Sequence, residues 1–403
     1  MAMKTLRRAS RKMLAAVAAG FSLCCPVAAS AQTPSAALIE SVVRNFMAAH
    51  HFKAVIVQVR SNGNAVYTGA FGDSMTGVPA TIDMHFRNGA LAFTYMATLL
   101  LEFVDQKKVA LDTKLSTFFP NLPGADRVTL QDLAQMTSGY ADYVYQPELQ
   151  DAFYHDPFRQ WTPEELIQIG VSKPAQFAPG TNWAYSHTNY VILGRVLEKI
   201  AGLPLADALQ QYVLAPMGLK QTTADTTPTV PQPVLHAFTS ERRETLGVKP
   251  GVPFYEEATY WNPSWTTIEG AVETTDIADL GVSIEAVASG KLLLPASSAA
   301  QITPKLIGFG HAQAGCPACQ PGTLSLSYGL GVIFSGPWIT QTLGFAGASG
   351  AVGTLPAQKL TIAVEATNGP GAYDEKGNAG LGAVGLFKAI ADVLAPNTLP
   401  PGR

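Results

Sequence analysis

A hydroxyl activated by an imidazole is the chemistry that Ser186 and His187 first bring into view, with Thr94 and Ser138 as further candidate nucleophiles. Such a nucleophile needs a base within hydrogen-bond reach and a third group to orient that base. The arrangement is spatial, so adjacency in sequence does not establish it. Ser138 equally suits a structural hydrogen bond in a loop, Ser186 a helix-entry bond, and His187 an ordinary hydrogen-bonded role. The second constellation is Cys316-Pro317-Ala318-Cys319. In an oxidising compartment this spacing reads as a small local disulfide. A zinc site that included His311 would still lack a fourth ligand. No metal and no cofactor is expected.

Around these residues the chain is organised by one segment, Ala90 to Val104. Leu91, Phe93, Met96, Leu99, Leu100, Leu101, Phe103 and Val104 make it apolar on almost every side, which predicts a helix buried in the middle of the fold. It ends at Asp105-Gln106-Lys107-Lys108, where cations suit the negative end of the helix dipole. Its first turn is then placed to face whatever cleft the fold possesses.

The 403 residues include 47% apolar and 14% charged residues, with a formal charge of −3. That permits a large core or two ordinary domains, and offers no basic face for nucleic acid. Lys4, Arg7, Arg8, Arg11 and Lys12 precede the apolar run Met13 to Val27, and Ala29-Ser30-Ala31 is a small-residue cleavage site. The pattern predicts a signal peptide over 1–31, with Gln32 starting a periplasmic or secreted protein. Arg7-Arg8 is a weak match to a twin-arginine signal. After removal of the signal, no stretch is long and apolar enough to span a bilayer.

Helical periodicity marks Ser35 to His51, Thr129 to Met136, Thr162 to Ile169, Asn189 to Ala201, Pro204 to Leu214, Thr274 to Ser289, Pro295 to Ile302 and Gly380 to Leu394. Strand-like runs are Ala54 to Arg60 and Ala65 to Ala70, joined by a hairpin at Ser61-Asn62-Gly63-Asn64. Further strand-like runs are Leu326 to Phe334, Trp338 to Leu343, Ala351 to Leu355 and Leu360 to Ala366. With strands at both ends and helices between, the simplest α/β assembly is one antiparallel sheet covered by helices on its faces, beside a helical subdomain.

Several segments together resemble the serine β-lactamase and penicillin-binding-protein-like hydrolases, the branch holding AmpC-type lactamases, D-Ala-D-Ala carboxypeptidases and esterases. They are Asn64 to Gly72, Phe86-Arg87-x-Gly89, Val109 to Asp112 with Phe119-Pro120, Thr129-Leu130-x-Asp132-Leu133 with Thr137-Ser138-Gly139, and Leu214 to Leu219. The resemblance runs from about Leu38 to Leu394. It implies a three-layer fold with a cleft between the sheet part, about 36–89 and 264–395, and a helical subdomain, about 108–263, in one domain over 32–403.

The family's chemistry rests on three motifs, and each is altered here. S-x-x-K places a nucleophile and a lysine one helical turn apart; the matching residues are Ala90 and Phe93. Y-x-N reads Tyr185-Ser186-His187. An ordinary phenol titrates near ~10, leaving about 0.1% ionised at neutral pH, so without nearby cations Tyr185 reads as a hydrogen-bonding cleft residue. K-T-G, or H-x-G, reads Phe345-Ala346-Gly347, which keeps the glycine and loses the cation. Met136 replaces the family's usual histidine before Thr137. Ala90, Phe93, Tyr185, His187, Phe345 and Gly347 are thus expected to line a cleft turned apolar, with Phe93 and Phe345 as possible facing walls. The resulting expectation is a noncatalytic member that binds a small ligand or a cell-wall peptide or ester-like molecule. The alternative is a serine hydrolase acting through Thr94, Ser138 or Ser186.

Overall fold

Strand β1 (Phe52–Ser61) shows how the sheet is covered on both sides. Its side chains alternate between faces, as any strand's must. Val55, Val57 and Val59 join one apolar cluster, while Ala54 and Ile56 join another. Because both faces are buried, the sequence reads as a continuous apolar run rather than an alternating one. The computed structural model describes residues 36–380 and 382–399; the expected signal segment, 1–31, lies outside them.

Helix α1 (Ala36–His50) precedes β1, and β2 (Asn64–Met75) follows it through the expected hairpin. The short β3 (Val78–Pro79) and β4 (Phe86–Arg87) lead into α2 (Leu91–Asp105). Next come α3 (Leu130–Ala134), α4 (Pro147–His155), α5 (Pro163–Val171), α6 (His187–Ala201), α7 (Leu205–Leu209), a π turn over Gln210–Leu214, and α8 (Ala215–Met217). Among them lie the two-residue strands β5 (Thr223–Ala224), β6 (Phe238–Thr239) and β7 (Glu256–Glu257). The chain then forms β8 (Glu273–Thr275), α9 (Ile277–Ala288), α10 (Pro295–Ile302), β9 (Ser327–Tyr328), β10 (Ile333–Ser335), β11 (Trp338–Phe345), β12 (Ala348–Leu355), β13 (Leu360–Asn368) and α11 (Ala383–Leu394).

The main sheet has eight strands in the order β3-β2-β1-β13-β12-β11-β10-β9. Every pairing is antiparallel, and β1 joins β13 from the opposite end of the chain. Ile39 and Val43 of α1 and Leu386, Phe387 and Ile390 of α11 pack on one face. Helices α2 and α9 pack into the cluster on the other, through residues such as Leu99, Leu280 and Ile284. This is the α/β arrangement expected, with helices on both faces of one antiparallel sheet.

Two helices of the middle segment begin where capping chemistry dictates. Thr129 with Asp132, and Thr162 with Glu165, form reciprocal capping boxes at α3 and α5, each satisfying otherwise orphaned N–H groups. The strand expected over Leu326 to Phe334 is instead split into β9 and β10. Between them Gly331, at φ +73°, presses against the Phe93 carbonyl, where a Cβ would collide, and its own carbonyl accepts from Thr94 Oγ1. Docking on α2 interrupts the ladder.

Helix α2 is buried as the sequence predicted: Leu91 through Leu101, and Phe103, are all inaccessible. A second small sheet, β4-β8-β5, holds the segment that enters it. Asn88 and Glu273 exchange three hydrogen bonds: the Asn88 N–H donates to the Glu273 carbonyl, the Glu273 N–H to Asn88 Oδ1, and Asn88 Nδ2 to Glu273 Oε2. This clamp sits two residues before Ala90.

Candidate binding cleft

Gly89 turns the chain into α2 at φ +51°, and a Cβ there would lie 2.6 Å from the Gly344 amide nitrogen. Glycine therefore allows the end of β11 to approach the start of the helix. Ala90 follows as N-cap, with no side-chain cap. A cavity of about 230 Å³ opens here, lined by Ala90, Phe93, Tyr185, His187, Trp265, Thr266, Thr267, Val272 and Thr342 together with Gly89 and Gly344. Neither lysine nor arginine contributes to that lining.

Phe93 is 1% exposed and forms part of the cavity wall. Its ring stacks on Tyr190 at 4.1 Å and lies 5.8 Å from Tyr185 and 5.5 Å from His187. Burial holds the Tyr185 phenol well above its ordinary value, and the neighbouring Tyr328 and Asp142 push in the same direction. The phenol is thereby held in its protonated form. His187 is the first residue of α6, and its Nδ1 lies 2.9 Å from Asp142 Oδ2. That pairing leaves Nε2 as the imidazole's other polar atom.

Phe345 and Gly347 do not reach the cavity. Along β11 the residues facing it are Thr342 and Gly344, so strand alternation sends Phe345 to the opposite face. There its ring stacks 6.3 Å from Trp265, and the buried Arg87 guanidinium sits 5.4 Å above it. Phe93 and Phe345 are not facing walls; Phe345 supports Trp265 from behind. Burial lowers the Arg87 pKa to about 10, and its Nη2 donates to the Pro228 carbonyl. Gly347, at φ +76°, turns the β11–β12 hairpin where a Cβ would strike the Phe238 carbonyl. Its glycine serves the turn.

The three candidate nucleophiles are buried and absent from the cavity wall. Thr94 Oγ1 donates to the Gly331 carbonyl, and Ser138 Oγ to Asn189 Oδ1. Ser186 is fully buried at the start of α6, with no partner for its hydroxyl. Met136, at the family's histidine position, offers its sulfur to the Ser186 N–H and to Asn189 Nδ2 at 3.4 Å each. Cys316 and Cys319 are joined, with Cα atoms 5.3 Å apart, and pack against Phe177 and Ala184 just before Tyr185. The His311 N–H donates to Asn182 Oδ1. Among the described residues no group of His, Cys, Asp and Glu is placed to hold a metal ion.

Sequence reasoning missed Asp142, Trp265, Thr266, Thr267, Val272, Thr342 and Gly344. Thr342 and Gly344 share one face of β11, but alternation counted from Phe345 as the expected cleft residue points to Leu343 instead, so no local signal marked them. Asp142 lies 45 residues from its partner, and no local pattern announces that pair.

A family model described as Beta-lactamase matches residues 39–385. Over 153 residues the chain is 33% identical to penicillin-binding protein 4 of Amycolatopsis lactamdurans, covering 36% of this chain and 38% of that protein. Over 185 residues it is 26% identical to D-aminopeptidase of Brucella anthropi, covering 45% and 35% respectively. The matched part thus spans little more than a third of the length of these relatives. Among solved structures, a D-stereospecific amidohydrolase from Streptomyces sp. superposes with TM-score 0.70 at 22% identity, covering 90% of this chain and 99% of that one. The octameric penicillin-binding protein homologue from Pyrococcus abyssi gives TM-score 0.71 at 19% identity, covering 91% and 80%. At these identities the superpositions speak for the fold alone.

Proposed function

The chain belongs to the β-lactamase family, and from that premise we propose that it is a noncatalytic member whose cleft binds a small ligand without forming an acyl-enzyme. The observation that carries the reading is the first turn of α2: Ala90 supplies no nucleophilic atom, and Phe93 fills the lysine position with a buried ring stacked on Tyr190. The absence of cations from the cavity wall and the neutral Tyr185 support it, because a serine-type site depends on preorganised charge around its reacting groups. A small apolar molecule, or the ester- or peptide-like end of a cell-wall fragment, suits a wall of Phe93, Tyr185, Trp265 and Val272. Incubation with β-lactams is expected to give no covalent adduct by intact-mass spectrometry, and no turnover of a chromogenic ester. A stoichiometric adduct mapped to the α2 segment would end this reading.

The Asp142–His187 pair favours one alternative, a hydrolase working through an unrecognised nucleophile. It would have to recruit a hydroxyl other than Thr94, Ser138 or Ser186 as they now stand, or move one of them. Turnover abolished by a single serine or threonine substitution would establish it.

Export is the second part of the proposal, resting on the charged start, the apolar run and Ala29-Ser30-Ala31. N-terminal sequencing of the protein recovered from the cell envelope or medium is expected to begin near Gln32. An intact Met1 terminus retained in the cytoplasm would contradict it.

A further inference from the structure

A second cavity, of about 520 Å³, lies away from the cleft. Val282, Ala286 and Ala288 of α9 line it, with Thr354 near the end of β12 and Thr361 near the start of β13. Pro356, in the turn between those strands, adds to the apolar lining. Thr354 stands five residues along β12 from Ser349, the partner of Gly344 at the cleft. At ~3.4 Å per residue the two sites are about 17 Å apart. The hydroxyls of this wall are already used. Thr361 Oγ1 donates to Thr354 Oγ1, Thr354 Oγ1 to the Leu360 carbonyl, and Ser289 Oγ to the Ala286 carbonyl. Size and lining are those of a small-molecule site, which typically has about 300–1,000 Å³ and a mostly apolar wall.

The charges around this cavity are not balanced. Its one carboxylate, Glu285, is paired with Arg60 at 3.1 Å, and Arg60 Nη2 also donates to the Gly63 carbonyl on the rim. The carbonyls that end α9 are taken as well: Glu285 by the Ser289 N–H, Val287 by Gly290 and Ala286 by Lys291. That mutes the negative end of the helix. Lys291 and Lys359 remain, both exposed and both lining the cavity. Lys291 Nζ donates to the Met217 carbonyl, and among the described residues neither ammonium has a carboxylate partner. Lys359 also sits at φ +49°, ψ +39°, a left-handed conformation that disfavours a side chain and suits glycine. The turn thus carries a cation, against its backbone preference, where the cavity lacks negative charge.

We infer that this cavity is a second ligand site, for a single-chain carboxylate of the fatty-acid type. Its alkyl chain lies against Val282, Ala286, Ala288 and Pro356, and its carboxylate is held by Lys291 and Lys359. An alkyl chain matches a wall whose polar groups are satisfied from within the protein. A carboxylate head matches two open cations beside a glutamate that is already neutralised. At about 520 Å³ the cavity has roughly seventeen water volumes. That accommodates a chain of about twelve carbons and is too small for a two-chain lipid. The inference stands on this cavity alone and does not depend on whether the cleft is catalytic.

The test is calorimetric titration of the purified protein with sodium dodecanoate, sodium decanoate and dodecyltrimethylammonium chloride, each below its micellar concentration. Dodecanoate is expected to bind at least about tenfold more tightly than the trimethylammonium probe, because the cations attract one head and repel the other. It should also bind about tenfold more tightly than decanoate, since each buried methylene is worth about fourfold. Raising the salt from about 20 to about 500 mM should shrink the head-group preference, because exposed cations are screened. Lys359→Gly should weaken dodecanoate about threefold without lowering the unfolding midpoint, and Lys291→Gln about threefold, the pair together about tenfold. Ala288→Phe, which fills the cavity, should abolish binding. Should that variant fail to fold, the two lysine variants decide the matter, since both positions are exposed. Equal binding of the two head groups, indifference to the lysines, or no binding of dodecanoate up to about 1 mM overturns the inference. So does binding that survives Ala288→Phe and is lost with Ala90→Leu, which would place the acid in the cleft. Tighter binding of a lysophosphatidylglycerol of equal chain length would assign the cations to a phosphate head and overturn the carboxylate.

Discussion

Returning serine and lysine to α2, as Ala90→Ser with Phe93→Lys, is expected to leave hydrolysis of an activated ester at least about 10³-fold below that of an intact family member. Each preorganised donor around a developing oxyanion is worth roughly 10²–10³ in rate, and groups that act as a unit are strongly non-additive. Two residues cannot restore such a unit. The new lysine would enter a socket bounded by Tyr190, Tyr185 and His187, where burial disfavours its charged form. The nearby carboxylate, Asp142, is already engaged by His187. Adding Phe345→His should gain little, since Phe345 stands behind Trp265 and not in the cavity. The Phe93→Lys change also removes a ring that is 1% exposed. Truncation of such a ring costs about 3–5 kcal/mol, so Phe93→Ala should lower unfolding stability by that amount in denaturant titration. Release of p-nitrophenol and the unfolding midpoint should be measured on the same samples. Robust turnover by the double variant would show a cleft still built for hydrolysis. An unchanged midpoint for Phe93→Ala would mean that the ring contributes no packing.

Stability is expected to fall as the pH rises from about 5 to 8, and Glu273→Gln should remove much of that fall. Glu273 is fully buried, with Oε1 lacking a partner. Burial raises its pKa to about 8 from an ordinary 4.5, opposed by the hydrogen bond from Asn88. A carboxyl raised in the folded state stays protonated there while the unfolded chain ionises. Its destabilising contribution is absent below about pH 4.5, grows with pH, and levels off above about 8. The plateau corresponds to roughly 5 kcal/mol. Glutamine keeps an acceptor for Asn88 without the titration, so the variant should be more stable than the parent at pH 8 and little different at pH 5. Denaturant unfolding at several pH values reads this directly, and parallel pH profiles for the two proteins would show that Glu273 is not the source.

Much of the fold was legible in the chain. The run of large apolar residues from Leu91 to Phe103 has no polar face, so burial was its natural fate. The hairpin at Ser61-Asn62-Gly63-Asn64 carried its own turn chemistry, and strands at the two ends predicted one antiparallel sheet made from both, though not which strands would pair. The identities at positions 90, 93, 185 and 187 also followed from sequence, because motif spacing along one helix or turn is local. What lay beyond reach was which particular residues of distant segments meet. Phe345 was expected in the cleft, yet a strand places successive side chains on opposite faces, and only the register β11 takes in the sheet decides which face is inward. Asp142 meets His187, and Thr267 meets Ala90's cavity, through packing of loops that share no period. The sequence by itself determined which residues, Ala90 and Phe93, stand in the first turn of α2; the tertiary structure alone decided which groups surround the space beside them, because that depends on long-range contacts that no local pattern encodes.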